Sequence, residues 1–578
     1  MKCKLIDQLS KLRKQSVEAV DNATDENIDE FKKYIHVKRN VEDELRELLK
    51  KVNSKNQKSL ILLCGSAGDG KSHLIYYFNS IDHEHLLDGY EKYNDATESS
   101  SPEKTAMETL AVRLQEFDDD HLEDGLNTKM IIAINLGTLN KFIDSEEGKN
   151  YSQLKEYVES ENILTNSTKK AEYKEDGFFQ HVSFADFQLF SLTSSDVDTT
   201  FLQNIFYKVF SEEVDNPFYM ASRECKKCPL NLFCVVNHNY QFMKQTNVQK
   251  SVINRLLEVV LKDKMIISTR DVFNLIFDSV VPPAFSPLNL SNNEIKEKEK
   301  IKNYINGTTP MLLSDIKDIS PLMNQIQKHS VLKKRSQRID NQIIEFHVTS
   351  NIEKYFDNAT LNTPYYKVKN LMQLNDFCND EGTKRCVFKF VENITGMLSD
   401  TDLSQEFKEF INCIYLSTNQ KYEDELVEFY NNAQKAILCW EGSFGKQTIC
   451  IDDSNKDYWL LEDLELNQAP AINDEEKHDL DRFKPYINIS FGIEGHDEAI
   501  ETVSIDYLLF KLIKNVGKGY RPTVKDKNYH AEFAGFVKKL SDQGKQNKQV
   551  TIRKKGNKDL KYSFSSKPGN KFEFEVDK

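Results

Sequence analysis

The residues Gly65-Ser66-Ala67-Gly68-Asp69-Gly70-Lys71-Ser72 have the spacing G-x-x-x-x-G-K-[ST]. That spacing suits phosphate chemistry. Backbone N–H groups of a glycine-rich loop wrap phosphate oxygens, and the following helix N-terminus adds positive potential. Lys71 would reach the β- and γ-phosphates, and Ser72 would hold Mg²⁺. The context is the required one. An apolar run, Leu60–Cys64, precedes the loop and reads as a buried strand, and His73–Phe78 reads as the start of a helix. The pattern implies binding of ATP or GTP.

Hydrolysis needs an acidic residue for the magnesium and a group to orient the attacking water. No apolar strand ends in Asp-Asp or Asp-Glu. The nearest match is Tyr93-Asn94-Asp95-Ala96-Thr97-Glu98, which nominates Asp95 for the magnesium and Glu98 for the water. A capped turn is the competing reading, since Asp and Thr there satisfy local backbone groups. The run Ile131–Ile134 ends at Asn135, placed to bond a γ-phosphate or the water; capping of the next helix is the alternative. Ser268-Thr269-Arg270-Asp271 opens another helix. An arginine there opposes the helix dipole, and its planar fork suits a γ-phosphate.

A second pattern is Cys225-x₂-Cys228-x₅-Cys234-x₃-His238. Three thiolates and an imidazole suit tetrahedral Zn²⁺ in a structural role. The same cysteine spacing also occurs where three cysteines join a distant fourth around an iron–sulfur cluster. Cys378, Cys386, Cys413, Cys439 and Cys450 are scattered and read as core residues. His83-Glu84-His85 reads as a polar loop. No G-x-S-x-G elbow, H-E-x-x-H zinc site, kinase set or nuclease carboxylate set is recognisable.

Alternating strand and helix signals must position these groups. Residues 1–55 read as N-terminal helices, with Val41, Leu45, Leu48, Leu49 and Val52 on one face. Residues 56–220 read as a doubly wound core with strands near Leu60–Cys64, Tyr90–Asn94, Met130–Asn135 and His181–Phe184. Helix Lys104–Phe117 falls between two of them, and Tyr151–Glu175 reads as a polar loop. Residues 221–289 hold the cysteine cluster and a helical lid, with helices Ser251–Leu261 and Asp271–Val281. Residues 290–445 form a mixed, mainly helical region containing a linker before 345, then short strands among helices such as Ser404–Leu416 and Glu423–Ala436. Residues 446–578 form an α+β domain ending in an antiparallel meander. The expected class is α/β: a P-loop NTPase, AAA+-like parallel sheet core with a helical lid, then a mixed α+β C-terminal region.

The chain has 578 residues and a net charge of −14. Length implies two to four domains. No apolar run is long enough for a bilayer, and the first residues lack a signal-peptide core, so a cytoplasmic protein with reduced cysteines is expected. From Lys511 to Lys578 there are 18 Lys and Arg against 7 Asp and Glu. This basic tail on an acidic body suits DNA or an acidic protein partner. Nucleic-acid candidates are Lys518, Arg521, Lys525 and Lys527, then Arg553, Lys554 and Lys555, with Tyr520 available for stacking.

Several segments together resemble the DptF family, the ATPase component of DNA phosphorothioation-dependent restriction systems. The carriers are GSAGDGKSHL at 65–74, NDATES at 94–99, IIAINLGTL at 131–139, SFADFQLFSL at 183–192, CKKCPLNLFC at 225–234, STRDVFNLIFD at 268–278 and GYRPTVKDK at 519–527. The resemblance runs through most of the chain. It implies an ATP-hydrolysing switch or motor that works with partner restriction proteins against DNA lacking backbone sulfur. Asn135 and Arg270 then resemble the first and second sensors of AAA+ ATPases. A nucleotide-binding scaffold with little hydrolysis, or a DNA-binding adaptor, is the alternative. The sequence leaves open whether the protein is an oligomer.

Overall fold

The computed structural model describes residues 3–14, 30–94, 105–124, 126–165, 171–184, 187–194, 196–283, 297–334, 336–399, 402–442, 444–445, 447–452, 454–473, 480–493, 500–544, 549–556, 561–567 and 571–577. The chain divides into two compact units. One comprises Met1–Ser191, Asp198–Asp402 and Asp481–Phe483; the other comprises Leu192–Val197, Leu403–Leu480 and Lys484–Lys578.

The first unit is built on four parallel strands, β1 (Ser59–Gly65), β2 (Tyr90–Tyr93), β3 (Lys129–Asn135) and β4 (Phe179–Ser183), in the order β2-β3-β1-β4. All seven residues of β1 are buried. A strand covered on both faces needs apolar side chains at every position, which is why the run is continuous rather than alternating. The pleat then sorts its residues. Leu60, Leu62 and Cys64 join Met130, Ile132 and Ile134 on one face. Ile61 and Leu63 join Ile131 and Ala133 on the other.

Helices cover both faces. Three of them, α1 (Lys4–Ser10), α2 (Glu30–Ile35) and α3 (Asn40–Asn53), precede β1. The stripe Val41, Leu45, Leu48, Leu49 and Val52 of α3 packs on the second face, beside Leu74 and Ile75 of α4 (Lys71–Tyr76). Burial of each such side chain contributes about 1.5–3 kcal/mol. The first face is covered by α5 (Ala106–Arg113), α6 (Leu136–Ile143) and α7 (Ser152–Ser160), through Leu110, Leu139, Phe142, Leu154 and Val158. Helix α7 lies in the stretch read as a polar loop. Its apolar spacing is thin, but Leu154 and Val158 are one turn apart, and both are buried.

After β4 the first unit is largely helical: α8 (Thr200–Phe210), α9 (Pro217–Glu224), α10 (Val235–Met243), α11 (Thr246–Lys262) and α12 (Thr269–Val280). The region read as containing a linker holds helices Lys298–Asn306, Thr309–Leu312, Pro321–Ile326 and Gln337–Val348. Ile301, Ile305, Met311 and Leu312 among them are buried. Short strands expected between 346 and 440 are absent among the described residues, which are helical there. Val387, Phe390, Val391, Ile394 and Met397 show the cause: three- and four-residue spacing lines one face of helix Glu381–Ser399.

The second unit has two antiparallel sheets. Strands Glu501–Ile505, Ile487–Ile493 and Leu466–Gln468 form one. The C-terminal meander, Gln549–Lys554, Lys561–Lys567 and Lys571–Asp577, is extended by Tyr458–Asp463 and Thr448–Asp452 into a five-stranded sheet. No helix among the described residues is long and apolar enough to cross a membrane.

Candidate phosphate-binding site

Gly65 ends β1 and Lys71 begins α4, so residues 66–70 form the turn between them. Gly68 and Gly70 have φ of 87° and 98°, a left-handed region costly for residues with a Cβ. These two torsions turn the chain back over the sheet's C-terminal edge, where ligands of parallel sheets bind.

Lys71 is buried, and its ammonium donates to the Ser66 carbonyl at 2.6 Å and to Asn135 Oδ1 at 3.1 Å. Register explains the second contact: Gly65 pairs with Asn135 across β1 and β3, so both strands end at the same level. Asn135 occupies the N-cap position of α6 but makes no side-chain cap bond. Its amide oxygen faces the lysine instead. The Ser72 hydroxyl donates to the Asn94 carbonyl at 3.1 Å. Asp95 follows Asn94 directly, but Asp95 and Glu98 lie outside the described residues.

The loop touches the start of α12. A Cβ added to Gly68 would stand 3.0 Å from Ser268 Oγ and 3.8 Å from Arg270 Cβ. Ser268 caps α12 reciprocally with Asp271: the Asp271 amide donates to Ser268 Oγ at 3.2 Å, and the Ser268 amide to Asp271 Oδ2 at 3.0 Å. Arg270 follows that cap into a cavity of about 690 Å³ shared with the phosphate loop. Among the described residues Lys11, Lys32, Arg39, Lys71, Lys92, Arg113 and Arg270 line it, against the acidic Asp69 and Glu42. That excess of positive charge suits a polyphosphate.

Arg39 was not evident from sequence. It precedes α3, where Lys38-Arg39-Asn40 resembles any polar helix start. Its guanidinium donates to the Asp69 carbonyl at 3.0 Å and lies 5.3, 5.8 and 5.3 Å from the ring centres of Phe184, Phe187 and Phe201. Burial pushes its pKa down to about 10, against the pull of Asp69 and Asp481, so it stays cationic at neutral pH. Asp69 in turn accepts from the Ser66 amide at 2.5 Å, and burial raises its carboxyl above the ordinary range against Lys71, that amide and Arg39. On the same wall His36 stacks on Tyr77 at 4.1 Å and 13°, meets His73 Nε2 at 3.0 Å through Nδ1, and reaches the buried Glu42 at 3.1 Å through Nε2. Burial lowers its pKa, opposed by Glu42.

The cysteine motif is arranged differently from expectation. His238 is fully enclosed in α10, with Nδ1 2.6 Å from the Tyr304 hydroxyl and the Tyr365 ring packed edge-on to it. Burial pushes its pKa down to about 4. As placed, no three His, Cys, Asp or Glu side chains among the described residues are gathered to hold a metal ion. Burial pushes the Cys225 thiol up to about 12 and the Cys234 thiol up to about 11. For each, Cys228 and also Cys3 add to the rise.

Of the basic candidates, Lys518, Arg521 and Lys525 are exposed beside Gly519, whose φ is 100°. Tyr520 is exposed and donates to Asp526 at 2.8 Å, whereas Lys527 is paired with Glu441. Arg553 and Lys554 end the strand Gln549–Lys554, and the Lys555 ammonium lies 5.7 Å from the Trp459 ring centre. These are two separate basic groups within the second unit. Compared with family models, curated proteins and solved structures, the chain matches none.

Proposed function

We propose that this chain is an ATP-binding and hydrolysing P-loop NTPase, AAA+-like in its core, that acts as the switch or motor subunit of a phosphorothioation-dependent DNA restriction complex. The observation that carries the nucleotide reading is the Lys71 ammonium, held between the loop carbonyl of Ser66 and Asn135 at the mouth of a basic cavity. Two oxygens, one from the loop and one from a strand end, mark where a triphosphate presents its own oxygens to this lysine. The amides of residues 67–72 bind phosphate oxygens, Lys71 neutralises developing charge, and Asn135 orients the terminal phosphate or the attacking water. Arg270, entering from α12, makes the position of that helix sensitive to the terminal phosphate. Ser72 would hold Mg²⁺, together with Asp95, which is read from the sequence and lies outside the described residues. The ion supplies charge neutralisation at the phosphates.

The restriction role rests on the sequence segments that resemble the DptF family, and the basic groups of the second unit are its DNA candidates. The test is phosphate release by the purified protein and by Lys71→Ala, with and without DNA, alongside binding of a fluorescent ATP analogue. DNA-stimulated turnover lost in the variant supports the motor. Binding without turnover under every condition supports a scaffold instead. Absence of nucleotide binding overturns the reading.

A further inference from the structure

The loop 225–234 is a tight knuckle between two helices. Cys225 caps the C-terminus of α9, the Cys228 amide donates to the Cys225 carbonyl at 3.1 Å, and the Asn231 amide to the Cys228 carbonyl at 3.1 Å. Cys234 then occupies the N-cap position of α10. Three sulfurs are therefore brought to the ends of rigid elements within ten residues. A fourth arrives from far away in sequence. Helix α1 packs against α9, and Lys4 Nζ lies 3.9 Å from Glu224 Oε2. That exposed ion pair contributes little energy, but it marks proximity: Cys3, the N-cap residue of α1, is next to Lys4 in the chain, and Cys225 is next to Glu224.

We propose that Cys3, Cys225, Cys228 and Cys234 form a tetrathiolate zinc site, with Cys3 rather than His238 as the fourth ligand. Two placements support it. The packing of α1 on α9 brings Cys3, the N-cap residue of α1, to the end of α9 that Cys225 caps. Cys234 holds the N-cap position of α10, where helix amides commonly support metal-bound sulfur. His238, the rival ligand, has Nδ1 engaged by the Tyr304 hydroxyl, but among the described residues its buried Nε2 has no hydrogen-bond partner, so the cobalt spectrum below decides between the two. The sulfurs are not gathered in ligating geometry as they stand. Rotation about χ1, between staggered wells, is the side-chain freedom open to them. Zinc binds cysteine as the thiolate. A closed set of four sulfurs is structural, with no open position for catalysis.

The experiment uses the full-length protein, purified without chelator and reconstituted with zinc chloride. Zinc and iron are measured by mass spectrometry on the wild type, Cys3→Ser, Cys228→Ser and the distant control Cys378→Ser. Cobalt-substituted wild type is examined by absorption spectroscopy. Expected are about one zinc per chain, its loss in Cys3→Ser and Cys228→Ser, its retention in Cys378→Ser, and a cobalt spectrum of four thiolates. The cobalt spectrum is read on folded wild type, so it stands even if a serine variant fails to fold. Wild type without zinc, Cys3→Ser retaining its zinc, a cobalt spectrum of three thiolates and one nitrogen, or iron with labile sulfide would each overturn the assignment.

Discussion

The Lys71 ammonium lies 3.1 Å from the side-chain oxygen of Asn135, 64 residues further along the chain. The two residues meet because parallel strands β1 and β3 end in register and each continues into a helix. A chance glycine turn has no reason to find a polar strand end opposite its lysine. Replacing Asn135 by Ala is expected to leave ATP binding close to wild type and to lower turnover by roughly 10²-fold, the usual size of losing one polar group aimed at a transition state. Lys71→Ala is expected to lose both binding and turnover. Isothermal titration with ATP, together with phosphate release, separates the two outcomes.

Gly68 and Gly70 share left-handed torsions but differ in their surroundings. Nothing lies within 4 Å of a Cβ placed on Gly70, whereas one on Gly68 meets Ser268 Oγ at 3.0 Å. Gly70→Ala should therefore cost backbone strain alone, about 1–2 kcal/mol. Gly68→Ala should cost more and also weaken ATP binding, because Ser268 must shift. Urea titrations of both variants check the ordering; equal losses would contradict it.

Arg39 binds the loop carbonyl of Asp69 amid three phenylalanine rings. Lysine keeps the charge but loses the planar fork that stacks on rings. Arg39→Lys is expected to lower ATP affinity about tenfold or more, with a smaller effect on melting temperature. The comparison is a thermal shift measured with and without nucleotide, in which ligand-induced stabilisation shrinks with affinity.

His181 on β4 is buried, with Nδ1 2.8 Å from the Tyr157 hydroxyl, and burial pushes its pKa down to about 4. The unfolded imidazole titrates near 6.5. At pH 7 both states are neutral and the group has no effect. As pH falls below about 6.5 the unfolded chain takes up a proton that the folded chain refuses, so stability declines until about pH 4. The full loss is roughly 3 kcal/mol. Denaturant titrations from pH 7.5 to 4.5 should show the decline, and His181→Gln should lessen it, His238 contributing a similar share of its own.

Continuous apolar runs made β1 and β3 legible, because a strand buried on both faces admits little else; β2 and β4 carry Glu, Lys, Gln and His and were legible only from the alternation of strand and helix signals. The turn 66–70 between β1 and α4 was legible for a different reason: Gly68 and Gly70 answer a torsional requirement. Asn135 was legible as a position but not as a role, since capping and lysine contact use the same residue type. Arg39 left no signal because its function depends on Phe184, Phe187 and Phe201, which only the fold brings near it. Helix α7 was missed because two buried residues, Leu154 and Val158, make a weak periodicity. Cys3 went unread for want of neighbours: spacing arguments see only local cysteines, and its companions lie more than two hundred residues away. Asp95 and Glu98 remain sequence expectations.

The close approach of Gly68 to Ser268 also has a mechanical side. A methyl group on Gly68 would stand 3.0 Å from the Ser268 hydroxyl, two hundred residues further along, so the side chain would have to give way. A steric contact transmits displacement in one direction, as a cam does on its follower: under the proposed function a loop that swells around phosphates would push, and a loop that relaxes would let go. Such a linkage depends on neither charge nor protonation, so it works equally well at any ionic strength. Between close-packed parts of this kind, a shift of a few tenths of an ångström cannot be absorbed locally and is passed on. Here it passes to α12, the helix that bears Arg270.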